Sequence, residues 1–190
     1  MASVKSRRIF FVLGSFKLGG TERTASRIGM ELIRRGYDVK FLLINEVFDY
    51  NDPLLIDNSI ILSKGKNKSK LRKFIFSYFS LCKIVWTKRP GTLVSFSLGI
   101  NILVFFLFYP RSVFRIETNI FIYKTVKQHK RYLQNLISWF PHVKGVVVPS
   151  EGLYEACVSY FSKAKKLILI SNPLDIENIT SLKNEAIDNV

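Results

Sequence analysis

The stretch RIFFVLGSFKLGGTERTASRIGMELIRRGYDVKFLLI, from Arg8 to Ile44, reads as strand, glycine loop, helix, glycine stop and strand. The unbroken apolar run Ile9–Leu13 has the length of a buried strand. Gly14, Gly19 and Gly20 permit a turn with positive φ and close approach of the backbone. Thr21 is placed to cap the next helix, and Glu22 suits the positive end of its dipole. Ala25, Ile28, Gly29, Leu32 and Ile33 return at helical spacing, so one face of that helix belongs to a core. Arg34 and Arg35 favour its carboxyl end, and Gly36 stops it. Val39–Ile44 is the next strand. Such a loop leaves backbone N–H groups free at a helix start, where a phosphate or carboxylate can sit.

Outward from this unit the same alternation continues. Strands are expected at Ser59–Leu62, Thr92–Ser95, Val113–Glu117, Gly145–Val148 and Leu167–Ile170. Helices are expected at Glu22–Arg35, Ser69–Thr87, Leu98–Phe108, Lys127–Phe140 and Glu151–Phe161. Strand and helix alternating at this pace predict an α/β fold, a parallel sheet with helices on both faces. Glu46 to Asn58 reads as a polar surface excursion, and the tail beyond Pro173 as a helix fragment or linker. The apolar run Leu98–Tyr109 is too short to span a bilayer, which takes about 20 residues.

With 190 residues and 48% apolar content, the chain is large enough for one domain with a core. Its charge is unusual: 29 Lys and Arg face 14 Asp and Glu. Between Asn58 and Ser150 the sole acid is Glu117. That middle half predicts a positive surface suited to phosphate, anionic lipid or nucleic acid, or simply a solubilising excess of charge. Cys82 and Cys157 are the only cysteines, both within apolar helical patterns, and read as buried free thiols. His129 and His142 are too few for a metal site. No secretory signal is visible, so a reduced, cytoplasmic setting is expected.

The helix after Gly65 combines both themes. Leu71, Phe74, Ile75, Tyr78, Cys82 and Val85 follow helical spacing, while Phe76, Phe79 and Trp86 add apolar bulk beside that stripe. Lys64, Lys66, Lys68, Lys70, Arg72 and Lys73 crowd its start, against the helix dipole. Basic and aromatic side chains on one helix suit an anionic membrane surface. A core helix with a solvated face is the alternative.

Several motifs, taken in order, resemble the first domain of the family-four retaining glycosyltransferases of GT-B fold. Gly19-Gly20-Thr21-Glu22-Arg23 and Arg35-Gly36 are similar to that family's opening loop and helix end. Pro90 to Phe96 is like its Pro-Asp-hydrophobic-Ser-Phe strand, with Gly91 in place of the Asp. Arg115-Ile-Glu-Thr-Asn119 is like its Ser-Glu-Arg-Asn strand end. Val146 to Leu153 carries the Ser-Glu-Gly-Leu helix start, and Ile168 to Asp175 the Asn-Pro-hydrophobic-Asp exit.

This resemblance implies a Rossmann-like acceptor-binding domain over 1–173 and the start of an interdomain linker over 174–190. It implies hexosyl transfer from a nucleotide sugar to a polysaccharide or lipid-linked oligosaccharide, in building cell-envelope glycans. No cofactor or metal beyond the donor substrate is implied. The family's second domain holds most of the nucleotide-sugar pocket, and its residues are not in this sequence. A C-terminal domain or a partner chain is therefore expected, and little transfer by these residues alone. Attachment to the inner face of the plasma membrane is the expected location.

Ligands of open parallel sheets sit at the carboxyl ends of the strands. Three groups of residues are candidates there. Gly19, Gly20, Thr21 and Glu22 would bring amides and a hydroxyl to a diphosphate. Ser95, Ser97 and Asn101 could hydrogen-bond a sugar, though Ser97 also suits simple helix capping. Glu117, followed by Thr118 and Asn119, could orient an acceptor hydroxyl or act as a base, with an ion pair to Arg115 as the plainer alternative. Ser150 and Glu151 read as a helix start. Two other classes stay open. One is a dinucleotide-binding oxidoreductase module, although the glycines do not form Gly-x-Gly-x-x-Gly and only Glu46 offers a ribose-binding acid. The other is a basic non-catalytic binding domain. No recognised nucleic-acid motif is present, so nucleic acid is not an expected partner.

Overall fold

Near-continuous runs of Val, Ile, Leu and Phe build strands that must be covered on both faces. In the computed structural model, which describes residues 7–49, 52–63, 70–117, 143–160, 167–174, 176, 180 and 183, seven such runs form one all-parallel sheet. The strands are β1 (Arg8–Leu13), β2 (Asp38–Leu43), β3 (Ser59–Ile61), β4 (Thr92–Phe96), β5 (Ser112–Arg115), β6 (Val143–Val148) and β7 (Leu167–Leu169), in the order β3-β2-β1-β4-β5-β6-β7. The helices are α1 (Gly20–Arg34), α2 (Pro53–Asp57), α3 (Lys70–Lys88), α4 (Leu98–Phe105) and α5 (Glu151–Tyr160). This is a Rossmann-like α/β architecture, as the alternation predicts. The helix expected at Lys127–Phe140 lies outside the described residues.

Alternate residues of each strand serve opposite faces. Phe10 and Val12 of β1 join a core with Leu81 and Val85 of α3, Leu103 and Val104 of α4, and Leu153 and Cys157 of α5. Phe11 and Leu13 join the other core with Ala25 of α1, Leu55 of α2 and Phe41 of β2. The second core is aromatic. Phe11 meets Phe41 and Phe96 edge-on, with ring centroids 5.7 and 5.5 Å apart, and Phe16 meets Phe41 at 5.1 Å. Each such pair adds about 0.5–1.5 kcal/mol beyond area burial. Gly29 lets α1 approach this cluster: a Cβ there would stand 2.3 Å from Phe41 Cζ.

Four local expectations change. Helix α1 begins at Gly20, with Gly19 as its N-cap residue, so Thr21 lies inside the helix and does not cap it. Gly14, Gly19 and Gly20 do not use positive φ; among the described glycines Gly36, at φ 80°, does. The excursion after β2 contains α2, which Asp52 caps by accepting from the Leu54 N–H at 2.8 Å, with Pro53 in the first turn. Of the stripe expected on α3, Tyr78, Cys82 and Val85 join or pack on the core, beside buried Ser77 and Leu81, whereas Phe74 and Ile75 are exposed. Among the described residues no helix is long and apolar enough to cross a membrane.

Candidate functional site at the carboxyl edge of the sheet

The chain runs β1, β2, β3 in one direction, then returns to lay β4 on the other side of β1. The β1–β4 junction is thus the point where strand order reverses, and the loops after these strands diverge to leave a crevice. The loop after β1 spans Gly14 to Gly19. Its middle is anchored by Phe16, which is wholly buried. The Phe16 N–H donates to Val47 O at 2.9 Å, the Asp49 N–H to Phe16 O at 2.8 Å, and the Leu18 N–H to Asp49 Oδ2 at 2.8 Å. The Asn45 backbone N–H holds Gly14 O at 2.9 Å. A loop clamped at both ends presents its glycine segment in a fixed position.

That segment is the start of α1. Gly19, the N-cap residue, makes no side-chain capping bond, having no side chain to do so. Thr24 Oγ1 donates to Gly20 O at 2.8 Å, reinforcing the first turn from within. The Glu22 carboxylate folds back so that Oε2 would be 2.3 Å from a Cβ placed on Gly19. Glycine at 19 therefore makes room for Glu22, a role distinct from backbone flexibility.

The start of α4 is arranged in the same way. Ser97 is its N-cap residue and makes no side-chain capping bond. The Ser97 backbone sits at φ 73°, ψ 153°, a region that only glycine occupies at low cost. Its side chain is exposed. Two helix starts without side-chain caps, those of α1 and α4, therefore face the crevice from adjacent strands.

Behind this wall the polar groups point inward. Ser95 and Asn101 are fully buried. Ser95 Oγ donates to Asn101 Oδ1 at 2.6 Å, and Asn101 Nδ2 donates to Arg115 O at 3.1 Å. The pair ties β4, α4 and β5 together. Both side chains thus have their hydrogen bonds within the protein.

Farther along the edge, Arg115 ends β5 with a nearly buried guanidinium, 4% exposed. Its Nε donates to Glu117 Oε1, and its Nη2 donates to Asn172 Oδ1 and, at 3.5 Å, to Ile170 O. Glu117, 10% exposed, is thereby drawn into an ion pair with Arg115. The plainer alternative for this acid holds, and its carboxylate is oriented by the guanidinium. Asn119 lies outside the described residues. Ser150 accepts weakly from the Leu153 N–H at 3.4 Å, consistent with a helix start.

Two features were not read from the sequence. The Phe16 anchor had a signal available, an aromatic set among small and polar loop residues. The other is a cavity of about 400 Å³ beside α1, lined by Phe11, Ile28, Leu32, Val94, Val113 and Val147 together with Arg115 and Pro173. Its lining joins Ile28 and Leu32 of α1 to residues of β1, β4, β5 and β6. Strand periodicity alone could not reveal this, since it marks a face as apolar without stating what covers it.

Both cysteines are free. Burial pushes the Cys157 thiol up to about 12, which leaves it protonated and unreactive in the core at neutral pH. Among the described residues no group of three His, Cys, Asp or Glu side chains converges to hold a metal. No protein-family model matches the chain, and no curated protein matches it either.

Proposed function

We propose that the chain is the acceptor-side domain of a retaining glycosyltransferase, which handles a nucleotide-sugar donor and a polysaccharide or lipid-linked acceptor at the cytoplasmic face of the plasma membrane. The observation that carries this reading is the pair of helix starts without side-chain caps, at Gly19–Gly20 and Ser97–Leu98, flanking the junction where strand order reverses. Substrates of this reaction carry a diphosphate. Amides at two helix termini suit such a group, because their N–H donors and the positive ends of both dipoles follow adjacent strands; at α1 the Glu22 carboxylate beside Gly19 must swing aside to admit it. The motif order described above supports the choice of reaction.

In this reading the Gly19, Gly20, Leu98 and Gly99 amides hold diphosphate oxygens, and the exposed Ser97 hydroxyl meets a sugar. Glu117 orients an acceptor hydroxyl through the carboxylate that Arg115 positions. Ser95 and Asn101 keep the β4–α4 wall in place. A C-terminal domain or partner chain supplies the other wall of the cleft. The dinucleotide alternative is less well supported. The β1–α1 loop is long and anchored by a buried phenylalanine, where that fingerprint uses a tight glycine turn.

The test is an amide NMR titration of the chain with a uridine-diphosphate sugar, a short-chain polyprenyl-diphosphate sugar, and NAD. Expected are shifts of the Gly19, Gly20, Leu98 and Gly99 resonances with a diphosphate sugar. Shifts with NAD alone, or none at these amides with any of the three, would overturn the proposal.

A further inference from the structure

Helix α3 presents two faces of opposite character. Ser77, Leu81 and Val85 are buried against the sheet. On the far side, Arg72, Ile75, Phe76, Phe79, Lys83 and Trp86 recur at intervals of three or four residues, with Phe76 directly after Ile75, and so form one stripe. This stripe faces solvent: Ile75 is 44% exposed, Phe76 50%, Phe79 64% and Trp86 48%. A stripe of large apolar residues this exposed is unusual on a protein surface.

The turn after α4 extends the patch. Phe106 and Phe108 are 49% and 56% exposed. Tyr78 Oη donates to Phe106 O at 2.9 Å, and the Trp86 ring meets that of Tyr109 edge-on at 5.6 Å. Helix and turn are thus joined side by side. Phe108 holds φ 50°, an uncommon value for an aromatic residue.

We infer that the outer face of α3 and the turn after α4 form a docking surface for an anionic lipid bilayer. Charge selects this occupant. From Asn58 to Ser150 the sequence contains a single acid, Glu117, and that one is drawn into the ion pair with Arg115. The charged members of the stripe, Arg72 and Lys83, are cations, and Lys64, Lys66 and Lys68 immediately precede the helix. A second copy of this chain would bring cation against cation, since the segment that forms the patch holds no acid besides Glu117. Nucleic acid would satisfy the cations but leave aliphatic Ile75 and the convex row of aromatics without a groove or base stack to enter. An anionic bilayer satisfies both, taking aromatic side chains to the headgroup boundary while Lys and Arg meet lipid phosphates. The inference does not depend on the transferase reading.

The experiment is co-sedimentation of the chain with phosphatidylcholine vesicles, with and without phosphatidylglycerol, in the absence of any sugar. Trp86 fluorescence is followed in a Trp139→Phe background. Expected are binding confined to the anionic vesicles, a blue shift of Trp86, and binding that falls as salt rises. Replacing Phe79→Ser together with Phe106→Ser should weaken vesicle binding about tenfold or more, with an unchanged melting curve because both side chains are exposed. Replacing Arg72→Gln and Lys83→Gln should weaken binding and flatten its salt dependence. Equal binding to neutral vesicles, or no loss in the phenylalanine variant, would overturn the inference. So would dimerisation abolished by these substitutions, or tighter retention on duplex DNA than on anionic vesicles. Because no sugar is present, failure here leaves the transferase proposal standing, and the NMR titration tests that proposal separately.

Discussion

At the β1–β4 junction the helix starts carry no side-chain caps, and Ser97 occupies backbone space suited to glycine. At the β5–β7 end of the same edge, Arg115, Glu117 and Asn172 satisfy one another and leave little exposed. The contrast follows from burial. A helix terminus in contact with water can leave its N–H groups to solvent or to a ligand. A guanidinium that is almost wholly buried has no such option, and its partners must come from the protein. Acids and amides at strand ends look alike in a sequence, yet one group is left without side-chain caps and the other is paired within the protein.

The largest test of this contrast is Arg115→Ala. It strands Glu117 and Asn172 and should cost about 3–5 kcal/mol, read by urea denaturation. The paired replacement Arg115→Met with Glu117→Leu should recover most of that loss, since removing both charges avoids the unpaired buried one. If Arg115→Ala were nearly neutral, the closed end would be no more committed than the open one.

A smaller effect of opposite sign is expected at the open end. Ser97→Gly relieves the positive-φ backbone and should raise stability by about 1 kcal/mol, as judged by thermal melting. A loss would mean that the serine side chain contributes contacts outweighing the strain. The smallest effect is expected for Gly19→Ala. The added Cβ would displace the Glu22 carboxylate, the flexible end of a side chain. Stability should change by no more than about 0.5 kcal/mol. Affinity for a diphosphate sugar, measured by calorimetry, should nevertheless fall. A large stability loss would instead place Gly19 among the structural residues.

Much of the fold was legible because it is local. Ile9–Leu13 could be read as a strand, Ala25 to Ile33 as a helix face, and Gly36 as a stop, from neighbouring residues alone. The misreadings were also local, but governed by choices between near neighbours. The cap moved from Thr21 to Gly19, and Asp52-Pro53 opened a short helix that the polar composition had concealed. On α3 the stripe holds at Tyr78, Cys82 and Val85 but fails at Phe74 and Ile75, because aromatic residues cover the helix on several sides and spacing alone did not choose which of them pack inward.

The candidate site was less legible. Gly19, Gly20 and Ser97 stand at the starts of α1 and α4, whereas Ser95 and Asn101 turn inward to bond each other and β5. Burial separates these groups, and burial is not a local property. Asn101 is buried because α4 packs on β4 and β5, and Arg115 is occupied because the chain returns at Asn172, far along the sequence.

By itself the sequence determined the alternation of strands and helices, and hence the parallel sheet, because hydrophobic period and turn chemistry act over a few residues. It also determined the basic character of the middle half. Only the tertiary structure decided which polar groups remain open, which aromatic residues of α3 face solvent, and where the cavity beside α1 lies. Those outcomes depend on which distant segments come together to cover a surface or complete a hydrogen bond.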